Sequence, residues 1–157
     1  MWDGPADAQA VFADPNYGAL IGELRNLLIA PPARVGHTTL RMHVARPLDP
    51  QKSYFINNTI LTVAAENTAS LLAILYSQKI VDLTDALPAF RMSFAFESLE
   101  EPGRIVSMTW WDSAAGAQAG FALPEYAALL GDMRAYFIKT PERQGYNLLR
   151  IVKHEMP

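Results

Sequence analysis

The sequence contains an internal repeat, and this repeat limits the folds that the chain can adopt. Residues 2–44 align with residues 111–153 at a constant offset of 109 positions without a gap, and 20 of the 43 aligned positions are identical. Duplication explains this identity, whereas chance does not. A copy of this length cannot bury an apolar face by itself, so each copy has to pack against other residues.

The arrangement of the copies predicts the domain organisation. The chain consists of a half-unit, then a longer unit that ends in the same half. This pattern is typical of a tandem two-domain protein without the front of its first domain. Met1 aligns with Trp110, in the middle of a unit, which predicts that the natural gene encodes a longer chain. We divide the sequence into three parts. These are an α-β half-repeat (1–44), a polar linker with two prolines (45–53) and a full domain (54–157).

The unrepeated part of the longer unit reads as strand, helix and hairpin. Residues 54–66 are rich in β-branched and aromatic side chains and predict a strand. Apolar residues recur at near-helical spacing over 68–87, which predicts one helix ending before Pro88. Residues 90–98 alternate between apolar and polar side chains, and 104–111 return as their hairpin partner.

The repeated part of the longer unit reads as two helices and a strand. Asp112 or Ser113 caps a short helix over 114–121, and a second helix starts at Pro124. Gly131 in that helix is expected to allow close packing on a sheet. The closing strand is predicted over 146–153, and the equivalent elements of the first copy are a helix over 15–30 and a strand over 37–44.

The element order over 54–153 is therefore β-α-β-β-α-β, which defines the fold class as α+β and ferredoxin-like. Residues 1–44 supply an extra α-β half in front of this unit. We expect the half-repeat to extend the neighbouring sheet or to cap the domain.

Composition excludes several classes of protein. The chain has 157 residues, a net charge of −3, no cysteine and three histidines, His37, His43 and His154. Disulfides, thiolate metal sites and multi-histidine zinc sites are therefore not expected, and no basic cluster indicates a nucleic acid or membrane partner. Without a predicted membrane span or signal peptide, the expected location is the cytoplasm.

Three segments of the longer unit carry a family resemblance. The hairpin ending RIVSMTWWDSAAGAQAGF, the helix LPEYAALLGDMRAYF and the strand YNLLRIVK resemble the antibiotic biosynthesis monooxygenase-like domains of the dimeric α+β barrel superfamily. The resemblance covers 54–153 in full and 2–44 as a half. It implies a homodimer in which two sheets face each other, with a pocket between each sheet and its helices.

The resemblance also implies possible activities. Some members oxygenate aromatic polyketides without metal or flavin, and others degrade haem. The haem-degrading members resemble this chain at an asparagine on the first strand, Asn57 or Asn58, and at Trp111. They carry a haem-ligating histidine ten residues after that tryptophan, where this chain has Phe121. Neither haem, another cofactor nor a metal is therefore expected.

Asn57, Asn58 and Trp111 are the first candidates for a substrate-binding site. One of the adjacent asparagines has to face the buried side of the sheet, where an unpaired amide is costly. It lines a pocket, or it forms a bulge or a backbone hydrogen bond. Trp111 forms an aromatic wall of the pocket or fills the core, and Trp110 points to the opposite side of the sheet.

Tyr126 and Arg91 complete the candidate site. Tyr126, in the first turn of a helix, donates to a substrate or places its hydroxyl at the rim of the core. Arg91 binds a substrate carboxylate or forms a salt bridge, and the same alternatives hold for Arg41 and Arg150. The three histidines are interpreted as incidental, because the copies do not share them.

Two functions from different classes follow. The first is cofactor-independent oxygenation of a small aromatic or polyketide-like substrate, although the sequence identifies no general base, Ser-His-Asp order or metal motif. The second is a non-catalytic small-molecule-binding or assembly protein of the same fold. A large closed pocket that contains an asparagine and a tyrosine or tryptophan favours the enzyme. An interior filled by Phe90, Phe94, Phe96 and tryptophan favours the second function.

Overall fold

The structure is a computed structural model and describes residues 5–25 and 36–148. The helices are α1 (Pro5–Phe12), α2 (Pro15–Arg25), α3 (Thr68–Leu75), α4 (Gln78–Ala86), α5 (Ala114–Phe121) and α6 (Pro124–Met133). The strands are β1 (His37–Val44), β2 (Tyr54–Thr62), β3 (Phe90–Ser98), β4 (Arg104–Trp111) and β5 (Glu142–Leu148). Short 3-10 turns follow β2 and α6, at Ala65–Asn67 and Arg134–Tyr136.

The chain divides into two compact units, residues 1–34 and 35–157. The first unit contains α1 and α2, and in it the rings of Phe12 and Tyr17 lie with their centroids 5.6 Å apart. The second unit contains the five strands and α3 to α6.

The second unit is built on one antiparallel sheet with the strand order β1-β3-β4-β2-β5. The four strands from β2 onward have the arrangement of a ferredoxin-like plait. The predicted fold class is therefore confirmed. β1, the strand of the half-repeat, adds a fifth strand by pairing with β3 from His37 to Val44.

One face of the sheet packs against the helices and forms the core. The buried residues of this layer are Leu61, Val63, Leu71, Ile80, Ala95, Ile105, Leu129 and Met133. Removing these apolar side chains from water stabilises the fold. Alternation along the strands leaves their other side chains, such as Phe94 and Met108, on the opposite face.

Two predictions about helices are wrong in detail. The single helix predicted over 68–87 is two helices, because Ser77 is extended and its carbonyl accepts from the amides of Ile80 and Val81 at the start of α4. Gly131 does not approach the sheet, since a Cβ there would meet no atom of the described residues within 4 Å. The predicted cap of α5 is Ser113, whose Oγ accepts from the Gly116 amide.

The closing strand starts earlier than predicted. β5 begins at Glu142, because its pairing with β2 already starts at the Ile60–Glu142 pair. The remainder of the predicted strand after Leu148 lies outside the described residues, as do residues 26–30 of the first-copy helix.

The segment after β1, predicted as a linker, is tied to the second unit. The Arg46 guanidinium donates to the carbonyls of Asp85, Leu87 and Phe90 at 2.8, 2.8 and 3.1 Å. Two of these carbonyls belong to the C-terminal end of α4, where a cation is favoured. Further along, the Asp49 amide donates to the Tyr54 hydroxyl.

The hairpin between β3 and β4 turns through Gly103. Its φ of +81° lies in the left-handed region, and a Cβ there would lie 2.3 Å from the Val63 carbonyl oxygen. Only glycine meets both conditions without strain.

Candidate functional site

A row of small polar side chains crosses the helix-facing side of the sheet. Asn57 is 7% exposed, and its Nδ2 donates to Thr59 Oγ1 at 3.2 Å. Thr109 Oγ1 accepts from Trp111 Nε1 at 2.9 Å and donates to the Asn57 carbonyl at 3.4 Å. These bonds join Asn57 and Trp111 through Thr109, so two predicted site residues belong to one network.

Trp111 stands in a chain of aromatic rings. Its ring lies edge-on to Phe90 at 5.1 Å and to Phe121 at 5.4 Å between centroids, and Phe121 lies 5.0 Å from Tyr126. Such edge-on contacts add to the stabilisation from burial. The aromatic wall therefore runs from Phe90 to Tyr126, another predicted site residue.

A large cavity, of about 590 Å³, lies between the sheet and α6. Thr59 and Ser107 line it from the sheet, and Tyr126 and Leu130 line it from α6. Its other lining residues are Leu61, Leu75, Met133, Arg134, Phe137, Ile138, Lys139, Thr140, Pro141 and Arg143.

A second cavity, of about 50 Å³, adjoins the first and is bordered by the aromatic wall. The two share Leu75, Ser107 and Tyr126 as lining residues. The small cavity has room for water, since one molecule needs about 10–15 Å³ of such space. Trp111 and Phe90 are among its lining residues.

Tyr126 is placed to act as a hydrogen-bond donor. Burial raises the pKa of the Tyr126 phenol, and the charge of Arg143 lowers it by a smaller amount. Because the pKa stays above its ordinary value, the hydroxyl is protonated at neutral pH. It can therefore donate to a carbonyl or an oxyanion in the cavity.

Two predicted site residues lie elsewhere. Asn58 points to the face opposite Asn57, where its Oδ1 is buried without a hydrogen bond from the described residues, as is Trp110 Nε1. Arg91 lines neither cavity, and its guanidinium makes a two-point ion pair with Asp112 at 2.7 and 2.6 Å. The hydrogen bond to Asp112 raises the pKa of Arg91.

The structure brings forward a histidine that the sequence interpretation set aside. His43 Nε2 lies 2.9 Å from Asp85 Oδ1, and the His43 ring lines the small cavity. Since a carboxylate only accepts, Nε2 is the donor in this contact, and in the neutral tautomer with the hydrogen on Nε2 the acceptor nitrogen is Nδ1. Nδ1 has no hydrogen bond within the described ranges, so this pair has the arrangement of an oriented proton acceptor.

Two further polar groups border the small cavity, the Tyr76 hydroxyl and Ser93. Burial raises the pKa of Tyr76, and the nearby Ser93 hydroxyl and the Arg41 charge lower it in part. The Tyr76 hydroxyl is buried, and no described residue completes a hydrogen bond to it. A water molecule beside Ser93 and Tyr76 would satisfy it.

The described residues form neither a metal centre nor a membrane-spanning helix. Across residues 5–25 and 36–148, no three His, Asp or Glu side chains come together as metal ligands. No described helix has the length and apolar character needed to cross a membrane.

Solved structures share the fold. An anthrone oxidase-like protein matches 95% of this chain and 69% of its own length, with a TM-score of 0.70 and 15% identity. A proposed monooxygenase from Lactobacillus acidophilus matches 95% of this chain and 67% of its own, with a TM-score of 0.65 and 8% identity. A proposed antibiotic biosynthesis monooxygenase from Deinococcus radiodurans matches 65% of this chain and 99% of its own, with a TM-score of 0.55 and 19% identity.

No family model and no curated protein match the sequence. The described unit is a ferredoxin-like α+β domain with a cavity between its sheet and its helices. More specifically, it shares its fold with solved structures described as an anthrone oxidase-like protein and as antibiotic biosynthesis monooxygenases.

Proposed function

We propose that this protein binds a small fused-ring aromatic between its sheet and α6 and oxygenates it with dioxygen, without a cofactor. The observation that carries the proposal is the cavity of about 590 Å³, a volume within the range of small-molecule sites, about 300–1,000 Å³. Its apolar walls suit aromatic rings, and Tyr126 offers a donor to an oxygen atom on them. The names of the structural neighbours, monooxygenase and anthrone oxidase-like, indicate the reaction to test first.

The chemistry can be written for an anthrone, which carries acidic C–H bonds opposite its carbonyl. Loss of a C–H proton gives a carbanion, which the Tyr126 hydroxyl would stabilise at the carbonyl oxygen. The carbanion is oxidised by dioxygen, and a C–O bond forms to give a hydroperoxide. The O–O bond breaks as the second C–H proton leaves, so the products are one quinone and one water.

The proton needs an acceptor, and the His43–Asp85 pair supports the proposal at this point. His43 borders the small cavity, which adjoins the large one. A water molecule in the small cavity would carry the first proton from the substrate to Nδ1. Of the proposed substrate-binding residues, Tyr126 lines the large cavity and Trp111 lines the small one. Asn57 lines neither cavity and would act through Thr59.

The test is turnover of anthrone, followed as oxygen uptake and as quinone formation. We expect one quinone for each dioxygen consumed, at a rate that Tyr126→Phe lowers while Tyr146→Phe, on exposed β5, leaves it unchanged. Parallel reactions with chelator-treated protein test cofactor independence. Oxygen uptake no faster than the uncatalysed reaction would overturn the proposal for this substrate.

The second candidate function is ligand binding without chemistry. Phe90 and Trp111 leave only about 50 Å³ beside them, so the aromatic end of the interior is mostly filled. Saturable binding of anthrone without oxygen uptake would favour this alternative.

The proposal extends to assembly and organisation. We propose a cytoplasmic homodimer. The chain has no cysteine, so its stability does not depend on disulfides that form in an oxidising compartment. We also propose that 54–157 forms the catalytic domain, preceded by the half-repeat 1–44 and the segment 45–53. β1 would then serve this domain by extending its sheet and supplying His43.

A further inference from the structure

We propose that the mouth of the large cavity selects organic anions, namely fused-ring aromatics that carry a carboxylate or an ionised phenol. The inference rests on the proposed function and adds the charge of its ligand. Three cationic side chains line the cavity and define what we call its mouth, namely Arg134, Lys139 and Arg143. No carboxylate is among the described lining residues of the cavity. They form a local positive site on a chain whose net charge is −3.

Among the described residues, these three charges lack the carboxylate partners that Arg91 and Arg104 have. Arg91 pairs with Asp112, and Arg104 pairs with Glu101. Within residues 5–25 and 36–148, no ion pair neutralises the three cations at the mouth. Their field is therefore available to a ligand, and a low-dielectric cavity wall strengthens it.

Arg143 is held above the aromatic wall. Its Cζ lies 5.3 Å from the centroid of the Phe121 ring, a cation–π contact, and Phe121 lies 5.0 Å from Tyr126. Arg143 also acts electrostatically on the Tyr126 phenol, so the two groups are within mutual influence. A ligand anion between them would meet a fixed cation and a hydroxyl donor.

The other residues that line the cavity favour an apolar, ring-shaped body for the ligand. Leu130, Met133 and Phe137 form apolar walls that suit rings. Thr59 and Ser107 place only small hydroxyls on the sheet side. An inorganic anion would meet the mouth but leave these walls uncovered, so the fit is to an anion attached to an apolar body.

The test compares two ligands of nearly equal shape, anthracene-2-carboxylate and anthracene-2-carboxamide. Both are titrated by fluorescence into the full chain at neutral pH, so the measurement does not depend on turnover. We expect the carboxylate to bind about tenfold more tightly than the amide, and added salt to weaken only the carboxylate, because salt screens exposed charges.

Variants locate the preference. Arg143→Gln should remove most of the preference and change binding of the amide by less than about twofold, since it removes a charge and keeps a polar side chain. Arg104→Gln is the matched control, because Arg104 lies at the β3–β4 hairpin and lines neither cavity. Thermal unfolding of each variant confirms that it is folded.

Each outcome is decisive. Equal affinity for the two ligands, or a preference that survives in Arg134→Gln/Lys139→Gln/Arg143→Gln, would overturn anion selection and leave oxygenation of neutral aromatics standing. Binding of neither ligand would overturn the selection and the aromatic site together. Selective binding of the carboxylate by a chain that takes up no oxygen with anthrone would support the anion site and count against catalysis alone.

Discussion

At the scale of single residues, His43 is the group whose role the structure changes most. The contact with Asp85 joins positions 42 residues apart, from β1 and α4. The His43 ring also stacks on Phe90, with centroids 6.1 Å apart and planes 19° from parallel. A carboxylate on one side and a ring beneath fix the imidazole at the edge of the small cavity, which is what a positioned proton acceptor needs.

His43→Gln should lower kcat for oxygenation by about 100-fold, the lower end of the range for a lost general base. Glutamine keeps a polar side chain of similar reach but cannot take a proton at neutral pH. The measurement is initial oxygen uptake at saturating anthrone, together with the ligand affinity, which should change less than about threefold.

His37→Gln is the control for this variant, because His37 is exposed on the same strand and lines neither cavity. If both variants retain the parent kcat, His43 is not the proton acceptor.

The sequence could predict part of this site. Alternation along β2 and β4 indicates that Asn57 and Asn58, and likewise Trp110 and Trp111, point to opposite faces. This alternation does not indicate which residue of each pair faces the helices, because that depends on strand register and on tertiary packing. His43 was missed because its partner is distant in sequence and because the second copy has Val152 at the same position.

At the scale of elements, helix starts were predicted better than helix lengths. Ser113 and Pro124 carry local signals, so α5 and α6 begin where the sequence indicates. The break at Ser77 and the earlier start of β5 depend on packing and strand pairing, which have no comparable local signal. The effect of a glycine within α5 or α6 likewise depends on whether helix propensity or a tertiary contact dominates at that position.

Gly120→Ala and Gly131→Ala should have opposite effects on stability. A Cβ at Gly120 would lie 2.6 Å from Trp111 Cη2, and the buried indole cannot move aside. We expect Gly120→Ala to lower the free energy of unfolding by about 1–3 kcal/mol through overpacking. At Gly131 a Cβ meets open space, so alanine should raise the free energy of unfolding by up to about 1 kcal/mol through its higher helix propensity.

Chemical denaturation of the two variants and the parent checks both signs. Gly131→Ala serves as the control for the effect of alanine in a helix. Equal effects from the two substitutions would contradict the close approach of Gly120 to Trp111.

Removing β1 should destabilise the sheet more than removing the residues before it. β1 covers the edge of β3, Leu40 packs against the core, and Arg46 ties the following segment to α4. We therefore expect a chain that begins at Pro47 to unfold at a lower urea concentration and to aggregate through the uncovered edge.

A chain that begins at Gly36 is the matched control, since it keeps β1. Urea unfolding and light scattering compare the two truncated chains with the parent. A Pro47 chain as stable as the Gly36 chain would remove the proposed role of β1 in completing the sheet.

At the scale of the whole molecule, the sheet face opposite α3–α6 is apolar among the described residues of the second unit. It carries Met42, which is 59% exposed, and the half-buried Phe94 and Met108, which pair across neighbouring strands. Asn58 Oδ1 and Trp110 Nε1 on this face are buried without hydrogen bonds from the described residues. Apolar area of this kind, with unpaired polar atoms among it, is typical of an interface.

A second copy of the chain is the proposed occupant of this face, through sheet-to-sheet packing. Phe94→Glu should then weaken the dimer by at least about 30-fold, the equivalent of about 2 kcal/mol for a central interface residue, because a carboxylate would be buried without a partner. Sedimentation velocity over a range of concentrations measures the change.

Leu99→Glu is the control, since Leu99 is apolar and 55% exposed but follows the end of β3. A parent chain that stays monomeric, or a Phe94→Glu chain that dimerises as the parent does, would show that another surface or none is used. Because the large cavity lies on the other side of the sheet, ligand affinity should be the same in the monomeric variant, which separates assembly from binding.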